Sequence, residues 1–330
     1  MLITINDGQL KIGARSGQSL REALAANEIK LGVCGKGICG RCRVKVGGCV
    51  SELTAAEHKK LSVQEIADGF RLACQIPAAD GLSVEILPEM MQQHRFNAVC
   101  TRITPLTFDV RMFRFDMPAG GMIHYTPGQY VQLTTPAGIE GYPCVTRTFS
   151  ISSDPADKSY FELIIRRTPC GDCTRYLFER FTTGTELEFM GPDGDFRLSE
   201  NDCPMILIAG GSGMSAIRSI LFEMRRIKCD RKAVYFFGAP TPEGLYLLDE
   251  MKTLENELAD FTFVPCVQND PQGKWKGEKG LVTEVVGRWF ASLPQSEGYL
   301  CGAPGMIDAS IKVLNRIGIT DDRIYYDSFG

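Results

Sequence analysis

Long hydrophobic runs are missing from this 330-residue sequence. The longest apolar stretches, such as Met205–Ala209, hold about five residues against the roughly 20 that a membrane-spanning helix needs, so no membrane span is expected. Positive charge is not in excess either. Lys and Arg number 36 against 40 Asp and Glu, a net charge of −4, which gives no basic footprint for DNA or RNA and sets nucleic-acid binding aside. A secretory signal is lacking as well: the chain opens on Leu2-Ile3-Thr4-Ile5 with no basic segment followed by an apolar one, so a cytoplasmic setting is expected. Histidine is scarce, and His58, His94 and His124 fall in no chemical pattern. Internal repeats and low-complexity tracts are absent too.

What is present is ordinary globular composition, 44% hydrophobic and 23% charged, at a length that suits two to three domains of about 100–200 residues each. The 13 cysteines are an odd number, which argues against a disulfide scaffold in a chain without an export signal. Cys34, Cys39, Cys42, Cys49 and Cys74 crowd the first 90 residues while the other eight are scattered. Crowding of that kind suggests a metal.

Residues 1–90 read as a compact unit: a hairpin signal at Asn6-Asp7-Gly8 between two apolar stretches, then the capping box Ser19-Leu20-Arg21-Glu22, a glycine-laced loop, and a closing strand at Val84–Leu87. Pro88–Arg95 carries no core pattern and reads as a linker. Residues 96–200 give short strand-like segments, among them Phe108–Phe115, broken by Pro-Gly, Asp-Pro and Gly-Pro turns, with one helix at Thr174–Phe181, which is the pattern of an antiparallel barrel. Residues 203–330 alternate strand and helix strictly, from Met205–Ala209 to Arg323–Tyr326, which makes a doubly wound parallel sheet with ligands at the carboxyl ends of its strands. The expected fold is therefore multi-domain.

Four residues separate Cys34 from Cys39, two separate Cys39 from Cys42, and Cys74 follows after thirty-one more. This is the plant-type spacing for a [2Fe–2S] cluster, in which one tight loop supplies three thiolates and a distant segment the fourth. Zinc is the alternative, but it usually takes paired cysteines from two knuckles and only one short pair exists here. Cys49, outside the spacing, reads as a small buried hydrophobe.

In the presumed barrel, Arg147-Thr148-Phe149-Ser150 would be unremarkable alone. About twenty residues later, however, Gly171-Asp172-Cys173-Thr174 opens the region's one helix, whose amides and Thr174 hydroxyl can receive a phosphate. Arg147 can pair the same pyrophosphate, and Phe149 can lie along a flat ring. In the third region the first parallel strand runs into Gly210-Gly211-Ser212-Gly213, where glycines let a pyrophosphate approach a helix start. Cys301-Gly302-Ala303-Pro304-Gly305-Met306 follows a later strand of the same sheet, at the same edge.

Taken together, these motifs resemble the ferredoxin–NADP reductase superfamily, in particular its NADH-dependent flavoprotein reductases with an N-terminal [2Fe–2S] domain that serve bacterial oxygenases, such as benzoate dioxygenase reductase. The likeness runs over essentially the whole chain and implies a β-grasp ferredoxin domain, an antiparallel β-barrel FAD domain and an α/β NAD domain. Arg147, Phe149 and Ser150 match the family's flavin motif, Gly171 and Thr174 its second element, and Gly191-Pro192-Asp193-Gly194-Asp195-Phe196 its turn out of the barrel. The nicotinamide-nucleotide motif falls on Gly210, Gly211 and Gly213, and the cysteine motif on Cys301, Gly302, Pro304 and Met306. The resemblance implies Ser150 near the reactive flavin nitrogen, Cys301 near the nicotinamide carbon and Phe329, in the aromatic tail, near the flavin. Departures are Ala216, where the family commonly has proline, and Ala239-Pro240, where many relatives carry arginine. Asp270 falls where NADP-preferring relatives place a basic residue, and a carboxylate there is expected to favour NADH.

The reading that follows is an electron carrier from NADH through FAD to a [2Fe–2S] cluster and on to a redox partner protein, expected to be an oxygenase component. A quinone or other acceptor, as for the similar F subunit of sodium-translocating NADH:quinone reductase, and a cluster-holding redox sensor are the alternatives. A flavin reductase releasing free reduced flavin would not need the four cysteines. Residues 1–90 hold 11 Lys and Arg against 10 Asp and Glu, so partner recognition is expected to be local, around Lys36, Arg41 and Arg43.

Overall fold

A computed structural model describes residues 1–6, 8–27, 29, 31, 35, 37, 40, 42–48, 50–86 and 95–329. The expectations for Cys34, Cys39, Cys49, Lys36, Arg41 and most of the linker, 88–94, lie outside the described residues. The chain divides into two compact units, Met1–His94 and Arg95–Gly330.

In the first unit, β1 (Leu2–Ile5) and β2 (Leu10–Gly13) form the expected antiparallel hairpin, and α1 (Leu20–Ala26) starts at the expected capping box, with Ser19 and Glu22 exchanging bonds. Next come β3 (Arg43–Gly47), α2 (Ala55–Lys60), α3 (Val63–Ala67), β4 (Phe70–Leu72) and β5 (Ser83–Glu85). The sheet order is β2-β1-β5-β3-β4, with β1 and β5 parallel, the grasp arrangement. Leu20, Ala23 and Leu24 of α1 are buried among Ile3, Ile5, Ile12, Val44 and Leu72.

The second unit begins with an antiparallel sheet: β6 (Arg95–Pro105), β7 (Val110–Asp116), β8 (Tyr130–Thr134), β9 (Thr146–Ser150), β10 (Tyr160–Arg166) and β11 (Glu186–Asp193), with α4 (Asp172–Glu179) between the last two strands. The order is β10-β7-β6-β11-β8-β9. An Ile151–Leu163 bridge and the Ser152 amide, which donates to the Glu162 carbonyl at 2.8 Å, bring the two edges together into a barrel. Phe113, Phe115, Phe161 and Phe189 fill it, fully buried. Two expectations shift here. Arg95 belongs to strand β6 rather than to a linker. The strand expected from Phe108 begins only at Val110, because the Thr107 hydroxyl accepts the Asp109 and Val110 amides in a tight turn that leaves Phe108 exposed.

The chain then builds a six-stranded parallel sheet from β12 (Met205–Gly210), β13 (Ala233–Ala239), β14 (Phe261–Val267), β15 (Glu278–Lys279), β16 (Glu297–Gly302) and β17 (Ile324–Ser328). Between them run α5 (Met214–Arg226), α6 (Leu248–Glu257), α7 (Val282–Trp289) and α8 (Pro304–Arg316). The order β15-β14-β13-β12-β16-β17 reverses direction between β12 and β16. Distinct apolar clusters cover the two faces, so the sheet is doubly wound and its crevice opens at the carboxyl ends of β12 and β16. Among the described residues no helix is long and apolar enough to cross a membrane.

Candidate functional site

In the first unit the two described motif cysteines meet. The Cys74 amide donates to the Cys42 sulfur at 3.4 Å, and the Ala73 amide donates to the Cys42 carbonyl at 2.7 Å. The Gly37 amide donates to the Cys74 sulfur at 3.2 Å. Gly35, Gly37 and Gly40 all have positive φ, a backbone conformation that side-chain-bearing residues resist. At Gly37 a Cβ would also stand 2.7 Å from the Ala56 Cβ. A thiolate pair wrapped by donated amides suits an anionic iron–sulfur cluster. Beneath it lies a buried ion pair: Glu57 receives Arg71 at 2.8 Å and the Leu72 amide at 3.0 Å, which ties α2 to the segment leading into Cys74.

In the barrel, β9 carries the second motif. Ser150 is buried and its Oγ donates to Asp327 Oδ2 at 2.9 Å, across 177 residues of sequence. The Thr148 hydroxyl is buried with no hydrogen-bond partner among the described residues. Phe149 is half-buried, part of its ring against the barrel core, and Arg147 is exposed. Helix α4 has Gly171 at its cap and no side-chain cap bond, so its first-turn amides are open to an anion. Burial pushes the Cys173 thiol up to about 12, and Arg147 pulls against that rise, so the guanidinium and the helix start share one electrostatic neighbourhood. The Thr174 hydroxyl has other work: it meets the Thr168 amide at 3.1 Å, the Thr168 hydroxyl at 2.8 Å and the Gly171 carbonyl at 3.1 Å. It braces the loop, leaving the amides as the anion donors. An exposed guanidinium, uncapped amides and an orphaned hydroxyl are what an FAD pyrophosphate and flavin would satisfy.

At the sheet edge, Gly210, Gly211, Ser212 and Gly213 lead from β12 into α5. Gly213 must be glycine, because a Cβ there would strike the Cys301 carbonyl oxygen. Met306 fills the gap between the two strand ends: its sulfur would lie 2.9 Å from a Cβ at Gly210, and its methyl 2.7 Å from one at Gly302. Pro304 occupies the first turn of α8, where a missing N–H costs nothing. Helix α5 also lacks a side-chain cap, so the strand–turn–helix suits a dinucleotide pyrophosphate. Cys301 is fully buried, registered opposite Asp327 in β17, and its thiol is held well above the usual range by burial first and by the Asp327 charge second. The Phe329 amide donates to Gly302 at 2.9 Å, anchoring the tail beside this edge.

The sequence reading missed four participants. Asp327 was read only as part of an aromatic tail. Arg166, at the end of β10, reaches the glycine loop, 3.4 Å from where a Gly211 Cβ would stand, while Asp109 holds it at 2.7 Å. Ser215 donates to the Ser150 carbonyl at 2.6 Å. Arg218, on the same helix, joins barrel and sheet through Glu162 at 2.8 Å, the Ser152 carbonyl at 2.9 Å and Glu250 at 2.6 Å. A serine and an arginine at helical spacing after the glycines were the available signal. The Asp270 carboxylate accepts from Lys279 at 2.9 Å and from the Lys274 and Trp275 amides.

Comparison with known proteins agrees with this geometry. Family profiles match as a 2Fe-2S iron-sulfur cluster binding domain over residues 3–79, an oxidoreductase FAD-binding domain over 97–198 and an oxidoreductase NAD-binding domain over 207–312. The reductase component of propane 2-monooxygenase from Rhodococcus jostii (strain RHA1) is 33% identical over 277 residues, covering 80% of this chain and 74% of that protein. The electron transfer component of xylene/toluene monooxygenase from Pseudomonas putida is 31% identical, covering 90% of this chain and 84% of its own length. The F subunit of the Na(+)-translocating NADH-quinone reductase of Idiomarina loihiensis is 27% identical over 99% of this chain and 91% of its own. Among solved structures, the Amycolatopsis cytochrome P450 reductase GcoB superposes with a TM-score of 0.73 at 26% identity, covering 99% of this chain and 98% of its own. The ferredoxin reductase in carbazole 1,9a-dioxygenase gives a TM-score of 0.71 at 26% identity, covering 100% and 98%. With a cluster-binding, a flavin-binding and a dinucleotide-binding domain in that order, the chain belongs to the ferredoxin–NADP reductase superfamily, as one of its iron–sulfur flavoprotein oxidoreductases.

Proposed function

We propose that this reductase takes electrons from NADH and delivers them one at a time to the terminal component of an oxygenase. FAD, when bound, supplies two-electron uptake from NADH and one-electron release, and the cluster holds a single electron between flavin and partner. The observation that carries the reading is the meeting of Ser150, Asp327 and Cys301 where barrel and parallel sheet adjoin. Asp327 fixes the Ser150 hydroxyl in one orientation, which makes Ser150 the group for the reactive edge of the flavin. Cys301, kept a neutral thiol by burial, offers a snug uncharged surface beside the nicotinamide rather than a nucleophile. Arg147 and the α4 amides would take the FAD pyrophosphate, while Gly210, Gly211, Ser212 and Gly213, with Arg166, would take that of NADH. Cys34, Cys39, Cys42 and Cys74 would hold the cluster. Phe329 is the aromatic of this edge nearest the chain's end.

The relatives named as monooxygenase reductase or electron transfer components support an oxygenase partner, and the likeness to the NADH-quinone reductase component supports a second reading, a quinone acceptor. Purified holoenzyme, assayed with NADH against an alkane or aromatic oxygenase and separately against a soluble quinone, decides between them. NADH-dependent hydroxylation with slow quinone reduction is expected. Fast quinone reduction with no coupling to any oxygenase would overturn the proposal.

A further inference from the structure

Gln75, the residue after the fourth cysteine, has an amide aimed back along its own chain. Its Nε2 lies 3.5 Å from the Cys74 sulfur and 3.3 Å from the Cys74 carbonyl oxygen. Both neighbours are acceptors, so the side-chain oxygen cannot take that place and the NH2 orientation follows from chemistry alone. The amide is also confined. A Cβ on Gly37 would stand 3.0 Å from its Cδ and 3.1 Å from its Nε2, so the bare glycine is what makes room for it. The backbone beneath is fixed: Arg71 is gripped by Glu57 and by the Ser51 and Glu52 carbonyls, the Ala73 amide by Cys42, and the Gln75 amide donates to the Leu72 carbonyl at 2.8 Å.

We propose that Gln75 tunes the reduction potential of the cluster through its side-chain N–H donated to the Cys74 sulfur, a reading that rests on Cys74 being a cluster ligand. A donated N–H stabilises the electron-rich reduced state more than the oxidised one, so it raises the midpoint potential. The Gly37 amide at 3.2 Å donates to the same sulfur from the backbone and would persist in any Gln75 variant, so the side chain supplies an adjustable part of the donor set. Its consequence lies in the relay: the donor makes the cluster an easier receiver of an electron from reduced flavin.

The test is the cluster midpoint potential of the full-length holoenzyme, followed by the electron paramagnetic resonance of the reduced cluster in a poised titration. Wild type is compared with Gln75→Leu and Gln75→Met, which keep bulk and lose the donor. At a fixed poise the ratio of reduced to oxidised cluster should drop about fivefold in both, roughly 40 mV at 59 mV per tenfold for one electron. The flavin midpoint serves as internal reference and should stay in place. Unchanged cluster midpoints in variants with intact cluster spectra would overturn the proposal. Should both variants lose the cluster, the native protein decides: with side-chain 15N-labelled glutamine, a nitrogen coupling to the reduced cluster is expected in pulsed resonance spectra, and its absence overturns the role. A wild-type chain that assembles no [2Fe–2S] cluster would sink the underlying ligand assignment, and the tuning role with it.

Discussion

The two units of this chain keep their chemistry in different ways. In Met1–His94 the proposed ligand set is local: three cysteines fall within nine residues and the fourth follows in the turn after a strand tied down by Glu57 and Arg71. In Arg95–Gly330 nothing decisive is local, since Ser150 reaches Asp327 over 177 residues and Arg218 reaches Glu162 over 56. A cluster demands several ligands on one small object, so a tight loop suffices. Hydride transfer demands that two large cofactors meet at a defined distance, so it requires a junction between two folded layers. The polar seam along α5 is that junction: Ser215, Arg218 and Ser219 bond to the carbonyls of Ser150, Ser152 and Ser153 in turn.

The largest effect that would sharpen this contrast comes from Arg218→Leu. It leaves buried Glu162 with the longer 3.3 Å pair to Arg102 and removes the bidentate partner of Glu250, and breaking a buried pair by removing one side costs at most about 3–5 kcal/mol here. Thermal release of flavin should come at a markedly lower temperature, while the visible circular dichroism of the cluster persists to its wild-type temperature. Equal loss of both signals would mean that the units do not behave separately.

Next is acid. Glu297, buried with Ser199, Asn201, Arg231 and Tyr299 donating to it, is held down to about 2 by those bonds, which outweigh the burial that pushes the other way. Its pKa is lowered on folding, so its contribution, on the order of 3 kcal/mol, is complete above about 4.5 and is lost as pH falls toward about 2. Denaturant titrations of the flavin signal from pH 6 to 3 should show that loss in wild type and a flatter profile in Glu297→Gln. Parallel profiles for the two would contradict the assignment.

A functional effect of similar weight is expected from Ser150→Ala. Flavin reduction by NADH in stopped flow should slow about 100-fold, the scale of a misplaced reacting group, with reduction of the cluster by reduced flavin little changed. Asp327→Asn should cost less, and the double variant should fall short of the product of the two, because the residues act as a pair. Smallest is Gly37→Ala, where a positive φ and the Ala56 contact together cost about 2 kcal/mol and should hasten cluster loss without altering flavin reduction.

How far the sequence carried these conclusions differs between the units in the opposite sense to their chemistry. In the second unit the strand–helix alternation was legible almost element by element, because buried parallel strands are short apolar runs such as Met205–Ala209 and the helices between them keep an apolar face. The partners of its candidate site were not. Asp327 sits in an aromatic-rich terminal strand with no spacing signal, and Arg166 is one of two adjacent arginines whose roles only the folded strand distinguishes. In the first unit the cysteine spacing named the chemistry at once, yet α2 and α3 went unread, although Thr54-Ala55-Ala56-Glu57 and Ser62-Val63-Gln64-Glu65 are capping boxes and both form. Helices of six and five residues carry too little periodicity to stand out. Thr174 is a further instance: the motif marks its position, but its hydroxyl braces the loop that presents the amides.

The division of labour is tested most directly by Cys74→Ser in the full-length protein, with NADH-driven flavin bleaching and cytochrome c reduction recorded side by side under anaerobic conditions. If hydride uptake belongs to the second unit and one-electron exit to the first, flavin bleaching keeps its wild-type rate while cytochrome c reduction is lost. Flavin bleaching that fails together with cytochrome c reduction, in a protein that still binds FAD, would contradict the account.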